Sequence, residues 1–144
     1  MFREAILSTG GMDVIVMDSA SQLKPGDRGH VVIAGSNGGQ ESGRVGAEIG
    51  CALLVLNDAG VGKEGAGIAG LEILERAGVP AATVSHLSAA ISDGRDMWYS
   101  GLISHVNGPG RKAGIRVGDS VASAVRAFMD GHPTGKSIQE ETAQ

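Results

Sequence analysis

The chain has 144 residues, with 12 Lys and Arg against 16 Asp and Glu and a formal net charge of −4; this length fits one domain whose core needs no disulfide or metal staple. The mildly acidic balance without a basic block argues against nucleic acid or an anionic membrane as partner, and an aromatic content of 3% leaves little to stack on bases or sugars. The single cysteine, Cys51, excludes an internal disulfide and a Cys-rich zinc module, and neither a signal peptide nor an apolar run of about 20 residues occurs, so a cytoplasmic protein is expected.

In chain order, MDVIVMD (12–18) reads as a strand and KPGDRG (24–29) as a turn. VVIAG (31–35), ALLVL (52–56) and AATV (81–84) are short apolar runs without polar alternation, the pattern of strands buried on both faces in a parallel sheet. Between the first two lies ESGRVGAEIG (41–50), of helical length although its glycines cost about 0.8–1 kcal/mol each relative to Ala. It is credible only where glycine lets backbones touch. GIAGLEILERAG (67–78) carries Ile68, Leu71, Leu74 and Ala77 at three-residue steps, with Gly78 as stop and Pro80 preventing continuation. WYSGLISHVNGPGRKAG (98–114) is ambiguous between a strand and a broken helix. DSVASAVRAFM (119–129) predicts a helix with Asp119 as N-cap and Val121, Val125, Phe128 and Met129 on one face. The remainder is polar.

The β-α-β-α-β alternation over 31–85 predicts one α/β domain over 1–130, three-layered, with a mainly parallel sheet, and a polar C-terminal tail over 131–144. In such a sheet the loops after the strands emerge at one edge, the general ligand site of open α/β folds. Three of those loops are polar and rich in glycine or serine: SNGGQES (36–42), NDAGVGKEG (57–65) and SHLSAAISDG (85–94).

Gly35, Ser36, Asn37 and Gly38 offer backbone N–H groups ahead of a helix, which suits a carboxylate or phosphate. The plainer role is turn geometry. The second loop contains G-x-G-x-x-G at Gly60, Gly62 and Gly65, but glycine is so frequent that about 0.6 chance matches are expected in a chain of this composition. The next strand ends in Ser85-His86 where a dinucleotide fold wants an acidic residue, and no P-loop motif occurs. No cofactor is therefore expected.

Asn57, Asp58 and Lys63 remain in that loop. Asp58 at a strand end can act as a base or orient a histidine, and Lys63 can anchor an anion or become a nucleophile. An Asx turn and a solvated charge are the plain alternatives. His86 and His105 are acid–base candidates near neutral pH, while His30 and His132 fall beside turns. Ser88 and Asp93 complete the predicted edge. Without HxH or HExxH spacing no metal site is expected, and Ser36 lacks a nucleophile elbow.

Two readings stay open. One is a small enzyme acting on a polar, anionic small metabolite by general acid–base chemistry, of hydrolase or lyase/isomerase type, with Asp58, His86 and Lys63 as its reactive groups. The other is a non-catalytic ligand-binding or accessory subunit of a larger assembly. A small-molecule ligand and self-association as a homo-oligomer are expected under either reading.

Overall fold

The computed structural model describes residues 1–131; nearly all of the predicted tail, with His132, lies outside the described residues. Over the described residues the protein is a mixed α/β structure with a six-stranded, mostly parallel sheet and five α-helices. Its strands are β1 (Arg3–Thr9), β2 (Met12–Met17), β3 (Val31–Asn37), β4 (Leu53–Asn57), β5 (Ala81–Val84) and β6 (Ile103–Val106), in the sheet order of the sequence. The β2, β3, β4 and β5 strands run parallel; β1 and β6 are antiparallel edges. The helices are α1 (Gln40–Ile49), α2 (Gly70–Arg76), α3 (Gly94–Ser100), α4 (Gly108–Lys112) and α5 (Val121–Asp130).

The three apolar runs are the central parallel strands, and their neighbouring side chains alternate between two apolar clusters. Val31, Ile33, Leu53, Val55, Ala82 and Val84 join Met97 and Trp98 of α3 and Val121, Val125 and Phe128 of α5. Val32, Ala34, Leu54, Leu56 and Ala81 join Leu71 and Leu74 of α2. Both faces of these strands are thus dry, which is why they read as unbroken apolar stretches.

Glycine holds the elements together by backbone contact. A Cβ on Gly43 of α1 would lie 2.6 Å from the Gly70 Cα and 2.7 Å from its carbonyl oxygen, so α1 and α2 meet without side chains between them. The Gly70 N–H donates to the Gly38 carbonyl at 2.8 Å, and the Gly38 N–H to the Asn57 carbonyl at 2.8 Å. These bonds tie the loops after β3 and β4 to one another.

Several expectations need adjustment. β1 pairs with β2 through a Gly10-Gly11 turn in which both residues have positive φ (58° and 88°), the requirement of a type I′ hairpin. Helix α2 starts at Gly70 and not near 67, because Glu64 and Gly65 in the preceding 3-10 stretch, Lys63–Ile68, leave the helical region with φ 57° and 71°. Its end follows the predicted stop: Gly78 has φ 75°, and the Val79 N–H reaches back to the Leu74 carbonyl at 2.9 Å. The ambiguous 98–114 stretch divides into the end of α3, then β6, then α4. Helix α5 is capped by Ser120, whose side chain accepts from the Ser123 N–H at 3.2 Å, and not by Asp119, whose carbonyl instead accepts from the Ile103 N–H.

Two buried polar groups brace the periphery. Asp27 takes a two-pronged bond from Arg3 (2.9 and 2.6 Å) and a third from the Lys24 N–H, fixing β1 to the turn before β3. Asn107, the N-cap of α4, donates to the Val79 and Leu71 carbonyls and accepts from the Ala81 and Gly110 N–H groups. Among the described residues no helix is long and apolar enough to cross a membrane.

Candidate functional site

The site begins at Asp58, the residue after β4. Its side chain is 6% exposed, yet it faces two histidines through different oxygens: His86 Nδ1 lies 3.5 Å from Oδ1 and His105 Nδ1 4.0 Å from Oδ2. The Gly60 and His86 backbone N–H groups donate to Oδ1 at 2.8 and 3.1 Å. Burial pushes the Asp58 carboxyl upward, but the Gly60 N–H, the Ser104 hydroxyl, the His86 N–H and the His86 ring together hold it below the ordinary carboxylate range. Asp58 is a fixed anion at neutral pH. It makes the Asx-type turn and, at the same time, sets a negative charge beside two imidazoles.

Each histidine arrives by a different route. His86 follows β5, as the common-edge argument predicts, and its ring lies over Gly60, where an added Cβ would sit 3.4 Å from Cε1. His105 is inside β6, which enters antiparallel and pairs with Thr83. The register slips between Thr83 and Val84, whose partners are His105 and Ile103, so Ser104 is an extra residue on β6. A bulge suspends the strict alternation of a strand. Here it puts consecutive side chains on one group: Thr83 Oγ1 is 2.9 Å from Ser104 Oγ and 3.3 Å from His105 Nδ1, and Ser104 Oγ is 3.1 Å from that Nδ1.

The site therefore comprises Asp58, His86, His105, Ser104 and Thr83. Sequence reasoning missed the last two; the available signal was the adjacent Ser104-His105 pair interrupting an otherwise apolar run.

The other predicted residues sit at the same edge in bracing positions. Ser36 Oγ accepts from the Ala20 N–H at 2.8 Å, and Asn37 Oδ1 accepts from the Gly39 N–H at 3.0 Å. Gly35 and Gly38 are buried against backbone, Gly35 under Asp18 and Ser92-Asp93 and Gly38 under Gly67. Asn57 is fully buried, donating to the Ala89 carbonyl and accepting from the Ala59 N–H. Ser88 bridges the Ser85 carbonyl and the Leu102 N–H. Asp93 caps α3 through the Asp96 N–H. Lys63 is exposed and makes no ion pair among the described residues.

Next to Asp58 the 59–65 loop is conformationally unusual. Ala59, Val61 and Glu64 have positive φ (52°, 66° and 57°), a region costly for non-glycine residues and rare for a β-branched one. The loop is clamped by the Val61 N–H on the Asp58 carbonyl (2.7 Å) and the Gly67 N–H on the Val61 carbonyl (2.6 Å). It walls a cavity of about 260 Å³ lined by Asn37, Ala59, Val61, Gly62, Ala66 and Gly67. Among the described residues no group of three or more His, Cys, Asp or Glu is arranged to hold a metal ion.

Comparison with protein-family models, with curated proteins and with solved structures finds no match to this chain.

Proposed function

We propose that the protein is an acid–base enzyme acting on a small, polar, anionic metabolite, with His86 moving the proton and Asp58 orienting it. The observation that carries this reading is the buried Asp58 carboxylate facing the Nδ1 of a half-exposed histidine, 47% of whose side chain is open to solvent. A carboxylate behind Nδ1 directs the opposite nitrogen, Nε2, outward and stabilises the imidazolium when it forms. Asp58 itself is a poor base, because its donors hold it ionised; orientation suits it better than proton abstraction. The 59–65 loop walls a cavity and carries the exposed Lys63, and we read these as the space and the positive charge offered to an anionic group. We read the sheet as the middle of three layers, supported by the apolar clusters on its two faces, and the polar loops as the ligand-facing edge.

A second reading, a non-catalytic binding or accessory subunit, draws on the bracing duties of Ser36, Asn37, Asn57, Ser88 and Asp93, whose side-chain bonds hold loops in place.

The discriminating experiment starts with a thermal-shift screen of small carboxylates, phosphates and amides, since a ligand of the native state raises its stability. With a turned-over ligand in hand, Asp58→Asn and His86→Gln are each expected to lower turnover by about 10²–10⁴-fold with the fold intact. Near-wild-type turnover in both variants refutes His86 and Asp58 as the acid–base pair, and a ligand that binds without being turned over favours the second reading.

A further inference from the structure

A hydroxyl has one proton to give and two lone pairs with which to accept. Ser104 Oγ lies 3.3 Å from the Thr83 carbonyl oxygen, 2.9 Å from Thr83 Oγ1 and 3.1 Å from His105 Nδ1, and its hydroxyl helps hold the Asp58 carboxyl below the ordinary range. The Thr83 carbonyl and the Asp58 carboxylate can only accept, so the Ser104 proton goes to one of these two groups. The two remaining contacts must then donate to Ser104. His105 Nδ1 therefore carries a hydrogen, shared between Ser104 Oγ at 3.1 Å and Thr83 Oγ1 at 3.3 Å. His86 Nδ1 faces the same carboxylate directly.

We propose that His105 is the second proton-transferring residue of this site and that Ser104 positions it, so that both rings are held as the Nδ1–H tautomer with both Nε2 atoms available to a substrate. This rests on the acid–base reading above and specifies its reaction class: one imidazole takes a proton from the substrate while the other supplies one to a second atom. In the forward step a neutral His86 accepts at Nε2 and an imidazolium His105 donates from Nε2. The turnover leaves His86 charged and His105 neutral. Exchange with solvent restores the starting state, because both rings are open to it (47% and 37% of their side chains). The ionisable group facing both rings is Asp58; Lys63 and Glu64 are exposed charges on the same loop and pair with neither ring.

The structure contains its own control. His30 Nδ1 accepts the Asp13 N–H at 2.9 Å, which requires the opposite tautomer, with hydrogen on Nε2.

The test needs no substrate. The whole chain, labelled with ¹⁵N, is studied by long-range ¹H–¹⁵N correlation at about pH 8.5, where ordinary imidazoles are neutral. His86 and His105 are expected as Nδ1–H and His30 as Nε2–H. Ser104→Ala is expected to release His105 from the Nδ1–H form while leaving His86 and His30 unchanged; Ser104→Thr, which keeps the hydroxyl, retains the wild-type pattern. An unchanged His30 signal reports that each variant is folded. In parallel, diethyl pyrocarbonate with peptide mass spectrometry is expected to modify both His86 and His105. An Nε2–H signal for His105, an unaltered His105 in Ser104→Ala, or modification of His86 alone overturns this proposal and leaves the His86–Asp58 reading standing. An Nε2–H signal for His86 overturns that reading itself.

Discussion

Replacing Gly43 by alanine sets two well-calibrated effects against each other. Gly43 lies inside α1, where helix propensity alone makes Ala better than Gly by about 0.8–1.0 kcal/mol. Packing opposes it. The new Cβ would stand 2.6, 2.7 and 3.0 Å from the Cα, O and C of Gly70, against an ordinary contact of 3.4–4 Å. The obstacle is backbone, which cannot rotate away as a side-chain end can. Moving it means separating α1 from α2 by most of an ångström and stretching the Gly70-to-Gly38 hydrogen bond. Overpacking costs about 1–3 kcal/mol in a core that can adjust, and this contact belongs at or above the top of that range. The net expectation is a loss of about 2 kcal/mol, or roughly 6–8 °C in Tm for a chain of this size. Gly26→Ala is the control: an added Cβ there meets nothing within 4 Å and φ is not positive, so it should be neutral or stabilise by up to about 1 kcal/mol. Thermal and urea unfolding followed by far-UV circular dichroism measures both variants. A Tm for Gly43→Ala equal to or above wild type would show that propensity prevails and that the glycine seam is not close-packed.

Asp27→Asn removes one partner of a buried ion pair and should cost about 3 kcal/mol in urea unfolding. Burial raises the Asp27 carboxyl, but the Arg3 guanidinium and the Lys24 N–H more than reverse this; with the folded value depressed, its contribution is present above the ordinary value near 4 and lost as pH falls through the lower folded value, so the wild-type–variant gap in acid titrations should shrink below about pH 4. Asn107→Ala leaves the Val79 and Leu71 carbonyls and the Ala81 and Gly110 N–H groups without their partner and should cost about 3 kcal/mol or more by the same assay. Val61→Gly relieves a β-branched residue at φ 66° and, after the extra freedom of glycine in the unfolded chain, should raise stability by about 1 kcal/mol; a lower Tm would show that the Val61 side chain contributes more by packing than its backbone loses by strain.

The central sheet was legible because burial on both faces writes a simple signal: VVIAG, ALLVL and AATV cannot be amphipathic helices of that length. The same rule was blind to the edges. β1 alternates irregularly, with Arg3 turned inward to Asp27 and a register slip between Ala5 and Leu7. Its evidence was the Gly10-Gly11 pair, a turn signal for which composition supplied a ready alternative in a chain with 24 glycines. Spacing alone starts α2 too early because Ile68 keeps the helical period while Glu64 and Gly65 just before it break the backbone. Spacing reports faces, not φ.

The candidate site divides along the same line. Asp58 and His86 follow from one assumption, that loops after parallel strands share an edge, and the sheet supplies it. Ser104 and Thr83 do not follow from it, since both lie within strands. His105 stands out in the sequence by residue type, but the common-edge argument does not by itself place it beside Asp58. What brings them to Asp58 is the reversal at β6: an antiparallel last strand carries residues from its interior back to the end of β5, and the bulge at Ser104 turns two consecutive side chains to the same group. A parallel β6 would have placed Ser104 and His105 on the far side of a crossover, and a regular antiparallel one would have directed Ser104 away from Thr83. The half of the candidate site made by Thr83, Ser104 and His105 thus depends on two departures from the regular α/β plan, and an apolar-run reading has no means of registering either.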